Sequence, residues 1–101
     1  MARTKFQTLT EQMFYILLCF RKEACGMDVA DSVNELTNGR VKIGPGTLYN
    51  LTAQFVEEGI IEETRREGRR CYYVITADGE DILRREYDRL KTQINDYEKM
   101  V

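Results

Sequence analysis

The apolar positions of this chain change period along its length, and the changes divide it into elements. Met13, Phe14, Ile16, Leu17, Leu18 and Phe20 crowd one stretch. They predict a first helix from about Thr10 to Arg21 that is buried on more than one side. Thr10 itself, or Thr8 with Glu11, supplies the cap, and the polar residues 1–8 read as a frayed lead-in. Gly26 breaks the pattern. Val29, Val33 and Leu36 then share one face of a second helix, from about Met27 to Thr37, with Asp28, Asp31, Asn34 and Glu35 outside. Asn38-Gly39 ends it as a turn, and Val41 and Ile43 alternate with Arg40 and Lys42 in a short extended connector. Gly44-Pro45 opens a third helix, because proline loses nothing at the first helical position. Leu48, Leu51 and Phe55 form its apolar stripe, and Gly59 stops it where the backbone turns left-handed.

Beyond Gly59 the pattern becomes that of strands. Ile60 to Arg65 and Arg70 to Ile75 form a hairpin with its turn at Glu67-Gly68. Thr76 caps a last helix that runs to the C-terminus. Its apolar residues Leu83, Tyr87, Leu90, Ile94, Tyr97 and Val101 are spaced alternately by four and three, a heptad seam among charged neighbours. A domain of 101 residues has no room to bury the last turns of such a helix. The seam, with Phe14 and Leu18 of the first helix, therefore reads as a homodimer surface. The expected architecture is mainly α with a small β-hairpin: a winged helix-turn-helix domain over residues 1–76 and a C-terminal dimerisation helix over 77–101, forming one structural unit. In that order the third helix enters the major groove and the hairpin, or wing, touches the flanking backbone.

Composition narrows the function classes. The chain has no histidine, which removes Ser-His-Asp and Cys-His catalysis and histidine metal sites. Three cysteines without CxxC spacing argue against zinc or a disulfide framework. A redox-sensing thiol at Cys25 or Cys71 stays open, since Arg69 and Arg70 adjoin the latter. The Gly44-Pro45-Gly46 segment lacks phosphate-loop spacing. We therefore expect no enzyme, cofactor or metal. The longest apolar run, Met13 to Phe20, is too short for a bilayer, and no h-region follows Arg3 and Lys5, so the expected location is the cytoplasm. A net charge of −2 does not announce a nucleic-acid binder, so local clustering must carry that reading.

Two clusters do. The outer face of the third helix carries Gly46, Asn50 and Ala53, flanked by Thr47, Tyr49 and Gln54, with no charge before Glu57. Such a face can lie close against another surface, with Tyr49, Asn50 and Gln54 at base edges or phosphates. Arg40 and Lys42 approach the backbone just before it. Arg65, Arg66, Arg69 and Arg70 crowd the wing, and strand alternation divides them between its faces. About two per subunit then reach phosphate, contributing to the salt dependence of binding. The competing reading is a dimeric winged-helix module that binds protein, its wing arginines merely solvated.

Gly44-Pro45-Gly46-Thr47-Leu48-Tyr49, Glu58-Gly59-Ile60-Ile61, and Glu67 to Tyr73 running on to Thr76-Ala77-Asp78-Gly79 resemble the PadR family of transcriptional regulators. Leu9-Thr10-Glu11 fits that family's opening, and the resemblance covers about residues 9 to 90. It implies a homodimeric winged-helix repressor on a pseudo-palindromic operator, dimerised by its last helix. The short C-terminus is similar to that of the small subfamily. This chain has Cys25-Gly26-Met27 where the family often has His-Gly-Tyr, and no basic residue directly follows Tyr49, which weakens the electrostatic part of DNA affinity. Phe14, Tyr15, Leu18, Tyr87 and Leu90 could line a dimer cavity for a small apolar or aromatic effector; the other reading of these residues is a filled dimer core. The absence of tryptophan excludes an indole sandwich.

Overall fold

A computed structural model describes residues 8–101, so of the expected polar lead-in only Thr8 falls within the described residues. The Thr10 hydroxyl accepts the Met13 N–H at 3.2 Å and starts helix α1, Glu11–Cys19. The helix ends earlier than Arg21 because the Phe20 N–H is shared between the Ile16 and Leu17 carbonyls, which tightens the last turn. A short strand follows, β1 (Ala24–Cys25), which runs directly into α2 (Gly26–Leu36). The connector then leads to α3 (Pro45–Glu57), β2 (Ile61–Glu67), β3 (Arg70–Ile75) and α4 (Ala77–Met100). The sheet order is β1-β3-β2, all antiparallel. No helix among the described residues is long and apolar enough to cross a membrane.

Ile16, Leu17 and Phe20 of α1 pack with Val29 and Val33 of α2 and with Leu48, Leu51 and Phe55 of α3. Val41 and Ile43 close one end of this core, so the alternating Arg40 and Lys42 face outward. Leu36, expected on the apolar face of α2, is instead 58% exposed. It is the last residue of α2, three residues beyond the buried Val33. The wing turn is Gly68-Arg69, one residue later than expected; Gly68 takes φ +61°, and glycine at the first central position suits a two-residue hairpin.

The end of α3 is closed by a paired hydrogen-bond motif: Ile60 N–H donates to Phe55 O and Gly59 N–H to Val56 O, with Gly59 at φ +75°. The start of α4 is built on this turn. Thr76 N–H donates to Ile60 O at 2.9 Å. The Thr76 hydroxyl lies 2.6 Å from Gly59 O and 2.9 Å from Ile60 O, and accepts the Gly79 N–H as the cap of α4. Gly79 is buried against the same carbonyl: a Cβ there would sit 2.2 Å from Ile60 O and 2.6 Å from Ile75 Cγ1. One turn further along, Ile82 and Leu83 enter the core, and buried Glu86 accepts the Leu9 N–H at 3.2 Å while pairing with Arg89. Arg89 first, and Leu9 after it, hold the Glu86 carboxyl below its ordinary range.

Gly79→Ala should therefore be severely destabilising. The new methyl meets a backbone carbonyl that is fixed by two hydrogen bonds, so the cost should reach or exceed the top of the about 1–3 kcal/mol range for overpacking. Urea unfolding followed by circular dichroism reads this directly. A Gly79→Ala protein with the wild-type midpoint would show that α4 can start without this contact.

Candidate nucleic-acid interface

The third helix begins bare. Its N-cap, Gly44, has no side chain to bond the first-turn N–H groups, and no acidic residue lies in that turn. Nothing stands within 4 Å of a Cβ built on Gly44 or on Gly46. The fold therefore gives no reason for glycine at position 46, where alanine would favour the helix. From this start the exposed face continues through Thr47, Asn50 and Ala53, with Tyr49 beside it at 75% exposure. Gln54 is half-buried, so it presents less of itself than Asn50 does.

The wing arginines are less free than their number suggests. β2 carries one extra residue, Thr64, between Glu63, which pairs with Tyr73, and Arg65, which pairs with Tyr72. This bulge resets the alternation. Arg65, Glu67, Arg70 and Tyr72 share one face of the hairpin, and Glu63, Arg66 and Cys71 share the other. Arg65 stacks on the Tyr72 ring with Cζ 3.9 Å from its centroid and is paired with both Glu23 and Glu67. Glu23 is in turn bonded by the Thr64 hydroxyl, which with Arg65 holds its carboxyl below the usual range. Arg66 pairs with Glu63 at 3.3 Å. Arg70 is held more loosely, donating to the Cys25 sulfur at 3.6 Å and lying 3.9 Å from Asp28. Arg69, at the tip, takes part in no ion pair or hydrogen bond among the described residues.

Arg40 is also engaged, donating to Glu11 and, at 3.0 Å, to the Tyr15 hydroxyl. Lys42 is exposed beside it. Tyr49 of α3 and Arg69 and Arg70 of the wing line one cleft, while Gly46, Thr47 and Asn50 are exposed on α3 and Lys42 on the connector. Arg40, Arg65 and Arg66 each have a carboxylate beside them. No group of three or more potential metal ligands occurs among the described residues.

The residues expected at a dimer seam behave in two ways. Leu83 is already buried in the core of the subunit, whereas Tyr87, Leu90, Ile94 and Tyr97 are exposed along α4. The residues considered for an effector are divided between two open grooves. Phe14, Leu18 and Tyr87, with Leu83, line one of about 420 Å³. Phe14, Tyr15 and Leu90, with Glu86 and Arg89, line another of about 480 Å³. A third concavity, between α3 and the wing, was not anticipated. Met27, Thr52 and Cys71 line it with Tyr49 and Tyr73, and no spacing in the chain foretells a cleft formed by β1, α2, α3 and β3 together.

The same arrangement of elements recurs in solved structures. A transcriptional regulator from Clostridium thermocellum superposes with a TM-score of 0.76 at 22% identity, covering 90% of this chain and 92% of its own. A PadR family transcriptional regulator from Eggerthella lenta gives 0.77 at 22%, covering 88% and 80%. Bacillus subtilis PadR, in complex with operator DNA, gives 0.64 at 21%, covering 79% of this chain and 46% of that one. No curated protein matches the chain by sequence. The model of the "Transcriptional regulator PadR-like family" matches residues 16–85, which is most of the molecule, and the chain belongs to that family of winged-helix transcriptional regulators.

Proposed function

We propose that this regulator is a repressor that binds a pseudo-palindromic DNA site as a homodimer, with α3 in the major groove and the wing tip on the flanking phosphates. The observation that carries this reading is the pairing of two surfaces: an uncharged α3 face opened by glycines the fold does not need, beside a wing tip whose Arg69 is uncommitted. The operator complex of Bacillus subtilis PadR supports DNA as the partner. The dimer is proposed from α4, whose Ile94 and Tyr97 are 57% and 68% exposed in the subunit. A second copy of α4 laid on this seam would cover them and close the grooves beside Phe14, which accounts for those grooves without a ligand.

The dimer is tested by Ile94→Lys combined with Tyr97→Lys. Neither side chain contributes to the subunit core, so a folded monomer is expected in sedimentation velocity. A dimer that persists would place the interface elsewhere.

DNA recognition divides into two measurable parts. In a dimer Arg69→Ala removes two phosphate contacts, so the slope of log affinity against log salt should flatten by about 2. Binding should weaken alike on all sequences. Asn50→Ala should instead alter preference at particular base pairs with little change in slope. A wild-type salt slope in the Arg69→Ala protein would remove the wing from the mechanism.

Gly46→Ala separates fold from function at a single atom. The methyl enters open space in the free protein, and helix propensity favours it by up to about 1 kcal/mol. The variant should melt at or above the wild-type temperature yet bind DNA at least several-fold more weakly. Unchanged DNA affinity would mean that no partner approaches this backbone closely.

A further inference from the structure

The cleft between α3 and the wing has features that neither folding nor the DNA contacts account for. Its volume is about 360 Å³, the low end of small-molecule sites, which span about 300–1,000 Å³. Its walls are mainly apolar: Met27, Pro45, Leu48, Tyr49 and Tyr73. Met27 is 70% exposed, a large apolar side chain left at the rim. Thr52 also lines the cleft, is only 8% exposed, and its hydroxyl has no hydrogen-bond partner among the described residues. A buried hydroxyl without a partner is costly, and a ligand atom that bonds it recovers that cost. Arg69 and Arg70 complete the lining with positive charge. Asp28, the carboxylate beside Arg70, already accepts from the Cys25 thiol at 3.3 Å.

We infer that this cleft binds a small amphiphilic anion and that its occupation excludes DNA. The occupant has an apolar body, a carboxylate that meets Arg69 and Arg70, and a hydrogen-bonding atom at the other end for Thr52. The site lies between the two parts of the proposed DNA surface and shares Tyr49, Arg69 and Arg70 with it. Ligand and DNA would then compete for the same side chains, without any change in the dimer. This second step rests on the reading of the protein as a DNA binder; the first does not.

The cleft contains its own reporter. Cys71 lines it half-buried and Cys25 buried, whereas Cys19 lies outside it. In a Cys19→Ser protein, the rate of alkylation by N-ethylmaleimide therefore measures access to the cleft without DNA. The probes are 8-hydroxyoctanoate, octanoate, which lacks the inner hydroxyl, and 1,8-octanediol, which lacks the charge. The expected order of protection is 8-hydroxyoctanoate, then octanoate about threefold weaker, then the diol about tenfold weaker, as befits one neutral and one charge-assisted hydrogen bond. Thr52→Val, which keeps the shape and removes only the unpartnered hydroxyl, should fold normally and bind the two carboxylates equally. Arg69→Gln combined with Arg70→Gln should bring 8-hydroxyoctanoate down to the level of the diol.

Equal protection by all three probes, none by any, or an unchanged preference in Thr52→Val would overturn the site. Fluorescence anisotropy with a labelled fragment of the protein's own promoter tests the second step. Ligand that protects Cys71 yet leaves bound DNA undisturbed would overturn the competition while leaving the site. Absence of DNA binding in the ligand-free protein would instead refute the DNA-binding reading itself.

Discussion

One carbonyl organises the molecule. Ile60 O, at the turn that ends α3, accepts the Thr76 N–H and lies within reach of the Thr76 hydroxyl, and Gly79 is packed against it with no room for a Cβ. Three parts that must act together meet there: the end of the third helix, the first residue of the wing's outer strand, and the first turn of α4. Hydrogen bonds to a fixed backbone group are directional, and the contact at Gly79 tolerates no slack. The way α4 leaves the end of α3 is therefore constrained by backbone bonding at this carbonyl, and the packing of Ile82 and Leu83 in the core adds to it. The Thr76-Ala77-Asp78-Gly79 segment is better understood in these terms than as a helix start alone: threonine caps and anchors, and glycine permits the close approach.

Electrostatics on the wing follow a different logic. Four arginines stand in a hairpin that also carries three glutamates, so its net charge is small. The bulge at Thr64 places Arg66 on the same face as Glu63 and Arg65 on the same face as Glu67. Exposed pairs of this kind add little stability, typically up to about 1 kcal/mol each. Their effect is rather to hold long side chains in place, as Arg65 is held against Tyr72. Charge available to a polyanion is concentrated at the tip, on Arg69 and the loosely held Arg70. With an α3 face that has no charge before Glu57, this favours recognition by fit and hydrogen bonding over broad attraction to phosphate.

Much of the fold was legible in the chain, because helix and strand periods, the Gly44-Pro45 start and the Gly59 stop are local signals. What escaped was non-local. A strand of two residues, Ala24–Cys25, has no period to read and exists only because β3 offers it an edge. The Thr64 bulge depends on the register of its partner strand. Leu36 fits the apolar face of α2, but its burial depends on where the neighbouring elements end. The candidate site was legible as a set of residue types, and α3 presents Tyr49 and Asn50 as expected. Which arginines remain unpaired could not be read in advance, since Glu23 and Asp28 approach the wing from other elements. Thr52 reads as an ordinary helical residue until the cleft beside it is seen.

The rigid connection at Ile60 also bears on how such a regulator can be switched. A ligand lodged in the dimer seam would act by changing the distance between the two α3 helices. Its effect would be carried through α4 and would level off at the ratio of its affinities for the two dimer geometries. An occupant of the α3–wing cleft works without moving α4. Because it and DNA exclude each other, apparent DNA affinity falls in proportion to ligand concentration, with no plateau. The two mechanisms also place different demands on the fold. Control through the seam needs a subunit stiff enough to transmit rotation, which the Thr76 and Gly79 contacts provide. Control at the cleft needs only that Tyr49, Arg69 and Arg70 serve both ligands, and these three are exposed side chains that the core does not require.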